Sequence, residues 1–319
     1  MRTFIRIVLF TLLGGVVLVC AALAWAFTTA NGRYAKHWDV HPATFPIPFP
    51  PTAADSAAAG PGGNADSVAL AQAEARGSHL VNTRIGCVGC HGPNLAGGVI
   101  IDVPVVGYWA APNLTPGEGS VTKGFSAHEW DMAVRHGVRH TGLTSSMPCN
   151  DFEDLTDHEM SDIVTYIQRV PPVNKTIKPV RFGPVFAFLM AMDPKQLAPF
   201  AIDHTKAHVV EPPAEAVTVE FGNHISKGCA GCHGTHFSGG KMQGDPNMPI
   251  VANISPDPTG IKSWSEDNFV TALRTGKRPD GSAIDPAMPW QMYGHMNDTE
   301  LKAIYAYLRT VPPMPKGNH

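Results

Sequence analysis

The sequence predicts an all-α protein in which two tandem helical domains follow an N-terminal transmembrane helix. Three observations predict it: an uncharged run of 21 residues near the N-terminus, an internal repeat, and a closing segment with helical spacing in each copy of that repeat. At 319 residues with 29 prolines and 31 glycines, the chain is too long and too punctuated for one compact unit.

The uncharged run is Ile7 to Phe27, IVLFTLLGGVVLVCAALAWAF, preceded by Arg2 and Arg6. Its length suffices to cross a bilayer, so residues 1–30 are expected to be a signal anchor, although Ala22-Leu23-Ala24 and Ala24-Trp25-Ala26 also resemble cleavage sites. Cys20, preceded by the bulky Val19, is expected to be a buried thiol rather than a lipid attachment site. Arg2 and Arg6 favour a cytoplasmic N-terminus, but Arg33 and Lys36 blunt the asymmetry. Residues 31–65 are rich in Pro, Ala and Gly and lack periodicity, which predicts a tether.

Two stretches, 66–173 and 214–315, copy one another at an offset of 139 to 142 residues. Cys87 maps to Cys229, Asn113-Leu114-Thr115-Pro116 to Asn253-Ile254-Ser255-Pro256, Arg135 to Arg274, and Met147-Pro148 to Met288-Pro289. Residues 174–213 form a connector whose apolar run, Val185 to Met192, is too short to span a membrane. Each copy closes with a helix. Thr156 with Glu159, and Asn297 with Glu300, supply start signals. Met160, Ile163, Val164 and Ile167, repeated as Leu301, Ile304, Tyr305 and Leu308, form an apolar stripe, and Pro171-Pro172 and Pro312-Pro313 stop the helices. Opening helices are expected over Asp66 to Leu80 and Ala216 to Ser226, with Gly77 and Gly222 allowing close approach of another helix. Strand signals are sparse.

Four of the six cysteines lie in Cys87-Val88-Gly89-Cys90-His91 and Cys229-Ala230-Gly231-Cys232-His233. Two thiols at this spacing can form thioethers to the two vinyl groups of haem while the adjacent His rises to the iron. Lone redox or zinc sites do not require a His after both pairs. Two covalently bound haem c groups are therefore expected, on Cys87, Cys90, Cys229 and Cys232, with His91 and His233 as iron ligands. Met147 and Met288 are the candidate sixth ligands, 56 and 55 residues after His91 and His233. Met132, Met160, Met242, Met248, Met292 and Met296 compete but do not recur in register. His128, His136, His140, His236 and His295 have no matching partners and are expected at the surface. Two readings of Arg135 and Arg274 stand: salt bridges to haem propionates, or plain surface residues. Trp264 could donate to a propionate, a role that its counterpart Phe125 cannot share. Cys149 corresponds to Trp290 and is expected to be a free, buried thiol.

On these motifs both copies resemble class I cytochrome c domains. Asn253-Ile254-Ser255-Pro256, Gly260-Ile261-Lys262-Ser263-Trp264, Ala287-Met288-Pro289-Trp290 and Tyr305-Ala306-Tyr307-Leu308-Arg309 resemble the cytochrome c subunits of membrane-bound alcohol and aldehyde dehydrogenases and related anchored cytochromes. The resemblance implies crossed opening and closing helices around haem, with proximal His91 and His233 and distal Met147 and Met288. It further implies haem domains on the periplasmic face of a bacterial cytoplasmic membrane. The chain departs from the dehydrogenase subunits in having two haem motifs rather than three. The function that follows is electron transfer without substrate chemistry, with a dehydrogenase, a quinol-oxidising complex or a terminal oxidase as redox partner. A di-haem peroxidase is the alternative, and a Met in each copy counts against it. The net charge of −3 gives no basic surface, so no nucleic-acid partner is expected.

Overall fold

The computed structural model describes residues 1–241 and 249–317. In chain order its helices begin with α1 (Arg2–Tyr34), α2 (Ala53–Ala59), α3 (Ala65–His79) and α4 (Val88–His91). They continue with α5 (Ala127–Val134), α6 (Asp157–Ile167), α7 (Pro184–Met192) and α8 (Val219–Ile225). The last are α9 (Lys227–His233), α10 (Glu266–Thr275), α11 (Trp290–Tyr293) and α12 (Asp298–Leu308). These helices gather into two compact units that interleave along the chain. One comprises Met1–Pro42, Cys90–Glu153 and Pro171–Lys206; the other comprises Ala43–Gly89, Asp154–Val170 and Ala207–His319.

In the first unit α1 runs unbroken four residues past the expected end of the anchor. Cys20 is exposed on α1, not buried as expected, because α1 packs only near its C-terminal end, where Ala26 and Ala30 are fully covered. The same unit holds a small antiparallel sheet in the order β1 (Gly98–Val103), β2 (Gly107–Ala111), β3 (Arg181–Phe182). Its first strand is a β-branched run, Val99-Ile100-Ile101-Asp102-Val103, which pairs with a bulge between Val99 and Ile101.

In the second unit the opening and closing helices cross twice in the same manner. Gly77 on α3 meets α6 so closely that a Cβ there would lie 2.0 Å from the Asp162 carbonyl oxygen and 2.8 Å from the Tyr166 Cβ. Gly222 on α8 meets α12 alike, 1.9 Å from the Ala303 carbonyl oxygen and 2.9 Å from the Tyr307 Cβ. Both closing helices start as read from the sequence, with complete capping boxes at Thr156/Glu159 and Asn297/Glu300. The expected tether is partly structured. Thr52 and Asp55 cap α2 in a box, Phe45 is buried, and the Pro46 carbonyl accepts the Ser161 hydroxyl at 2.7 Å.

The two capping glutamates have a second role. Glu159 Oε1 and Oε2 lie 2.9 and 3.0 Å from His224 Nε2, and Glu300 Oε2 lies 2.8 Å from His79 Nε2. His79 follows Gly77 by two residues and His224 follows Gly222 by two. Each copy's opening helix thus sends a histidine to the other copy's closing helix. Between the pairs sits Arg84, ion-paired to Glu159 and 4.0 Å from Glu300. Arg84 ends a π-helical turn, Leu80–Arg84, that takes up three residues the second copy lacks between its glycine and its first motif cysteine.

A carboxylate alone would favour a charged His224. Burial, together with the Arg84 guanidinium that already holds Glu159, instead pushes the ring down to about 4. His224 therefore donates as a neutral imidazole. The unfolded chain takes up a proton near pH 6.5 that the folded chain refuses until about pH 4. The contribution to stability is then complete above pH 6.5 and is lost as the pH falls through that window. Unfolding free energy should drop by about 2 kcal/mol between pH 7 and pH 5 on this account. His224→Gln should remove that part of the slope in denaturant titrations at the two pH values, and an unchanged slope would refute the assignment.

Candidate haem-binding sites

Each motif histidine is held by a chain of contacts that recurs in both copies. His91 Nδ1 lies 2.9 Å from the Pro112 carbonyl oxygen, and His233 Nδ1 lies 2.8 Å from the Ala252 carbonyl oxygen. A carbonyl accepts only, so Nδ1 carries the proton in both rings and Nε2 carries the lone pair that a metal would take. The carbonyls are fixed in turn by the residue that follows them. Asn113 Oδ1 accepts the Thr115 N–H at 2.9 Å, and its amide donates to the Val173 carbonyl at 2.8 Å. Asn253 accepts the Ser255 N–H at 2.9 Å and donates to the Met314 carbonyl at 2.8 Å. The Asn-Leu-Thr-Pro and Asn-Ile-Ser-Pro turns were legible as repeats; their part in orienting the histidines was not. Burial also keeps His91 below the usual histidine range, against the pull of the Pro112 carbonyl.

In the second copy the predicted residues come together. Cys229, Cys232, His233 and Met288 all line one cavity of about 770 Å³. Its remaining walls are mainly apolar, with Ile254, Ile261, Trp264, Phe269, Ile304 and Leu308 among them. Size, mainly apolar walls, two thiols, an imidazole and a thioether fit a covalently held haem. In the first copy Cys90 and the buried His91 belong to one compact unit with Met147. The same unit holds Trp130, which is 3 % exposed and whose indole N–H meets no acceptor among the described residues. A buried donor of this kind is what an anionic group bound in that copy would satisfy. Sequence reading passed over Trp130, since its counterpart Phe269 has no donor.

Met147 and Met288 sit in the same local turn. The Met147 carbonyl accepts the Cys149 N–H at 2.9 Å, and the Met288 carbonyl accepts the Trp290 N–H at 2.7 Å. Both methionines are half-buried. Cys149 and Trp290 flank equivalent left-handed glycines, Gly137 and Gly276. Trp290 covers Gly276 with its ring, whereas the smaller Cys149 leaves room for Pro199 of the connector beside Gly137. Cys149 is fully buried as expected, its thiol donating to the Ala133 carbonyl at 3.2 Å and pushed well above the usual thiol range by burial. Among the competing methionines, Met132, Met160 and Met296 are core residues and Met292 packs against Gly86. Met242 and Met248 lie outside the described residues.

His128, His140, His236 and His295 are exposed as expected. His136 is not: it is 3 % exposed, with Nδ1 2.9 Å from His204 Nδ1. Arg135, 1 % exposed, is not a surface residue either, because Asp131 one turn earlier ion-pairs with it. Arg274 is exposed and binds Asp298 Oδ1 at 2.8 Å and the Gly294 carbonyl.

Two known families match the two copies. Residues 219–312 match the cytochrome c family, and residues 72–167 match the family of cbb3-type cytochrome c oxidase subunit III. The cytochrome c subunit of the quinone alcohol dehydrogenase of Gluconacetobacter polyoxogenes is 30 % identical over 290 residues, covering 79 % of this chain and 60 % of that one. The fructose dehydrogenase cytochrome subunit of Gluconobacter japonicus is 26 % identical over 260 residues, 73 % of this chain and 52 % of the relative. A dihaem cytochrome c-type protein of Cereibacter sphaeroides is 33 % identical over 102 residues, 28 % of this chain and 34 % of its own length. The chain thus spans little more than half the length of the first two. With repeated motifs, repeated histidine supports and two separate family matches, this chain carries two cytochrome c domains, one within residues 72–167 and one within residues 219–312.

Proposed function

We propose that the chain is a membrane-anchored di-haem electron carrier, with haem c held covalently by Cys87 and Cys90 and by Cys229 and Cys232. The observation that carries this reading is the duplicated support of His91 and His233 through Pro112 and Ala252. His91 and His233 would hold the iron through Nε2, and Met147 and Met288 would each supply the second protein ligand. Bound haem c supplies one-electron exchange at its iron. The protein's part is to hold each histidine in one tautomer, to keep water from the cavity walls and to present a thioether, which favours the reduced state. No acid–base group is required.

Helix α1 acts as a single retained span with the haem domains on the periplasmic side. Its unbroken course through Ala26 and the full burial of Ala26 and Ala30 support retention over cleavage. The relatives' names point to a dehydrogenase as electron donor. A quinol-oxidising complex or a terminal oxidase would then be the further redox partner.

Intact mass and optical spectra test the reading together. Two haem additions, low-spin spectra in both oxidation states and the weak near-infrared band of Met sulfur on ferric haem are expected. One haem addition, or a high-spin iron without the Met band, would overturn it. Met147→Ala and Met288→Ala should each lower one midpoint by a sizeable part of the roughly 0.8 V that axial ligands span, leaving the other in place. Two unchanged midpoints would remove the methionines from the ligand set.

A further inference from the structure

Helix α7 is nine residues long and has neither a charge nor a hydrogen-bonding side chain. One face, Ala187, Met190 and Ala191, is buried, and Ala187 and Met190 cluster with Ala30, Phe27 and Tyr34 at the end of α1. The opposite face is Val185, Phe188 and Met192, spaced i, i+3, i+7 and 48 %, 46 % and 64 % exposed. A short helix bordered by water carries polar residues on its outer face; this one carries three large apolar side chains. The patch continues onto the β1–β2 turn. Val105, 56 % exposed, accepts the Val185 N–H at 2.9 Å through its carbonyl.

What covers this face follows from its neighbour. The Phe188 ring stands edge-on to Trp25 with centroids 6.2 Å apart, and Trp25 is inside the uncharged run of α1. That run spans about 32 Å as a helix, close to the hydrocarbon thickness of a bilayer. Trp25 therefore falls in the last turn before the headgroups, and Phe188 shares its depth. Cationic side chains border the patch: Arg181 before α7, Lys195 after it, and Arg33, which donates to the Met190 carbonyl. With the exposed Asp193 directly after Met192 the rim is mixed but net basic, and the pattern is that of a segment lying in a membrane interface, apolar inward and charged at the rim.

We infer that α7 and the Val105 turn form a second membrane contact, lying in the acyl–headgroup boundary of the bilayer beside α1, with lipid as the occupant. The inference rests on α1 being a retained span. It adds that the unit containing Cys90, His91 and Met147 is pressed onto the bilayer and does not swing free of it.

The test uses the full chain in dioleoylphosphatidylcholine vesicles, with Cys20→Ala and a nitroxide label at Met192→Cys or Val185→Cys. Glu118→Cys, whose native side chain is 79 % exposed in the same unit, is the aqueous reference. The two label sites guard against failure of either variant, and an unchanged haem spectrum verifies folding of each. The ratio of oxygen to water-soluble nickel-chelate collision rates should be about fivefold higher at 192 and 185 than at 118. Equal ratios on chains that float with the vesicles would overturn the lipid contact and leave the span standing. Labels at 192 and 185 shielded from both oxygen and chelate would show that protein covers the face, and would overturn it too. Chains that do not float would remove the span and this inference together.

Discussion

Gly222→Ala is expected to lower the stability of the second cytochrome c domain by about 3 kcal/mol. Glycine to alanine inside a helix ordinarily gains up to about 1 kcal/mol from the smaller entropy of the unfolded chain. Here the sign reverses, because the new methyl would stand 1.9 Å from the Ala303 carbonyl oxygen and 2.9 Å from the Tyr307 Cβ. Neither obstacle is the free end of a side chain, so α8 and α12 would have to separate. Gly77→Ala meets the same obstruction at Asp162 and Tyr166. Gly32→Ala is the control for propensity, since a Cβ there meets nothing within 4 Å. Thermal unfolding followed by helix content should show a fall on the order of 10–20 °C for Gly222→Ala and none for Gly32→Ala. A Gly222→Ala chain that melts with the parent would show that the crossing is looser than its geometry.

Arg84→Met should cost more, about 3–5 kcal/mol at pH 8, because it leaves the buried carboxylates of Glu159 and Glu300 without the cation between them. Methionine keeps most of the volume, so the loss is electrostatic. The effect must also depend on pH. Arg84 is the second cause, after burial, of the low proton affinity of His224. Without it the imidazole can charge against Glu159, and its contribution then grows as the pH falls and disappears as the pH rises through its raised value. The penalty should therefore shrink by pH 5.5, where the unmodified chain is itself losing stability. Denaturant midpoints for both chains at pH 8 and pH 5.5 decide it. An equal penalty at both values would mean that Arg84 acts through packing alone.

Features governed by local rules were legible in the sequence. The capping pairs at 156/159 and 297/300, the apolar stripes of α6 and α12 and the two Cys-Cys-His motifs depend on spacings of two to seven residues. The crossing at Gly77 and Gly222 could be read because a duplicated glycine facing a duplicated tyrosine has few other uses. The histidine–glutamate pairs could not. They join residues 221 and 65 positions apart, and helix capping already accounted for both glutamates. The sheet escaped for another reason. The bulge between Val99 and Ile101 breaks the alternation that identifies a half-buried strand, and β1 leaves Val99, Ile100 and Val103 exposed. In the tether, seven residues of helix hang on one Thr52/Asp55 capping box, too little periodicity to register against the prolines around it.

The reciprocal exchange of His79 to Glu300 and His224 to Glu159 has the form of an isologous contact, in which one patch meets its own copy across a two-fold axis. Two identical subunits would make it twice with the same residues, and a substitution in either pair would strike both. Fusion into one polypeptide removes that constraint, since each half can then change alone. Arg84 is such an asymmetry: one cation contributed by the first copy, ion-paired to Glu159 and 4.0 Å from Glu300, where a symmetric dimer would have to place two or none.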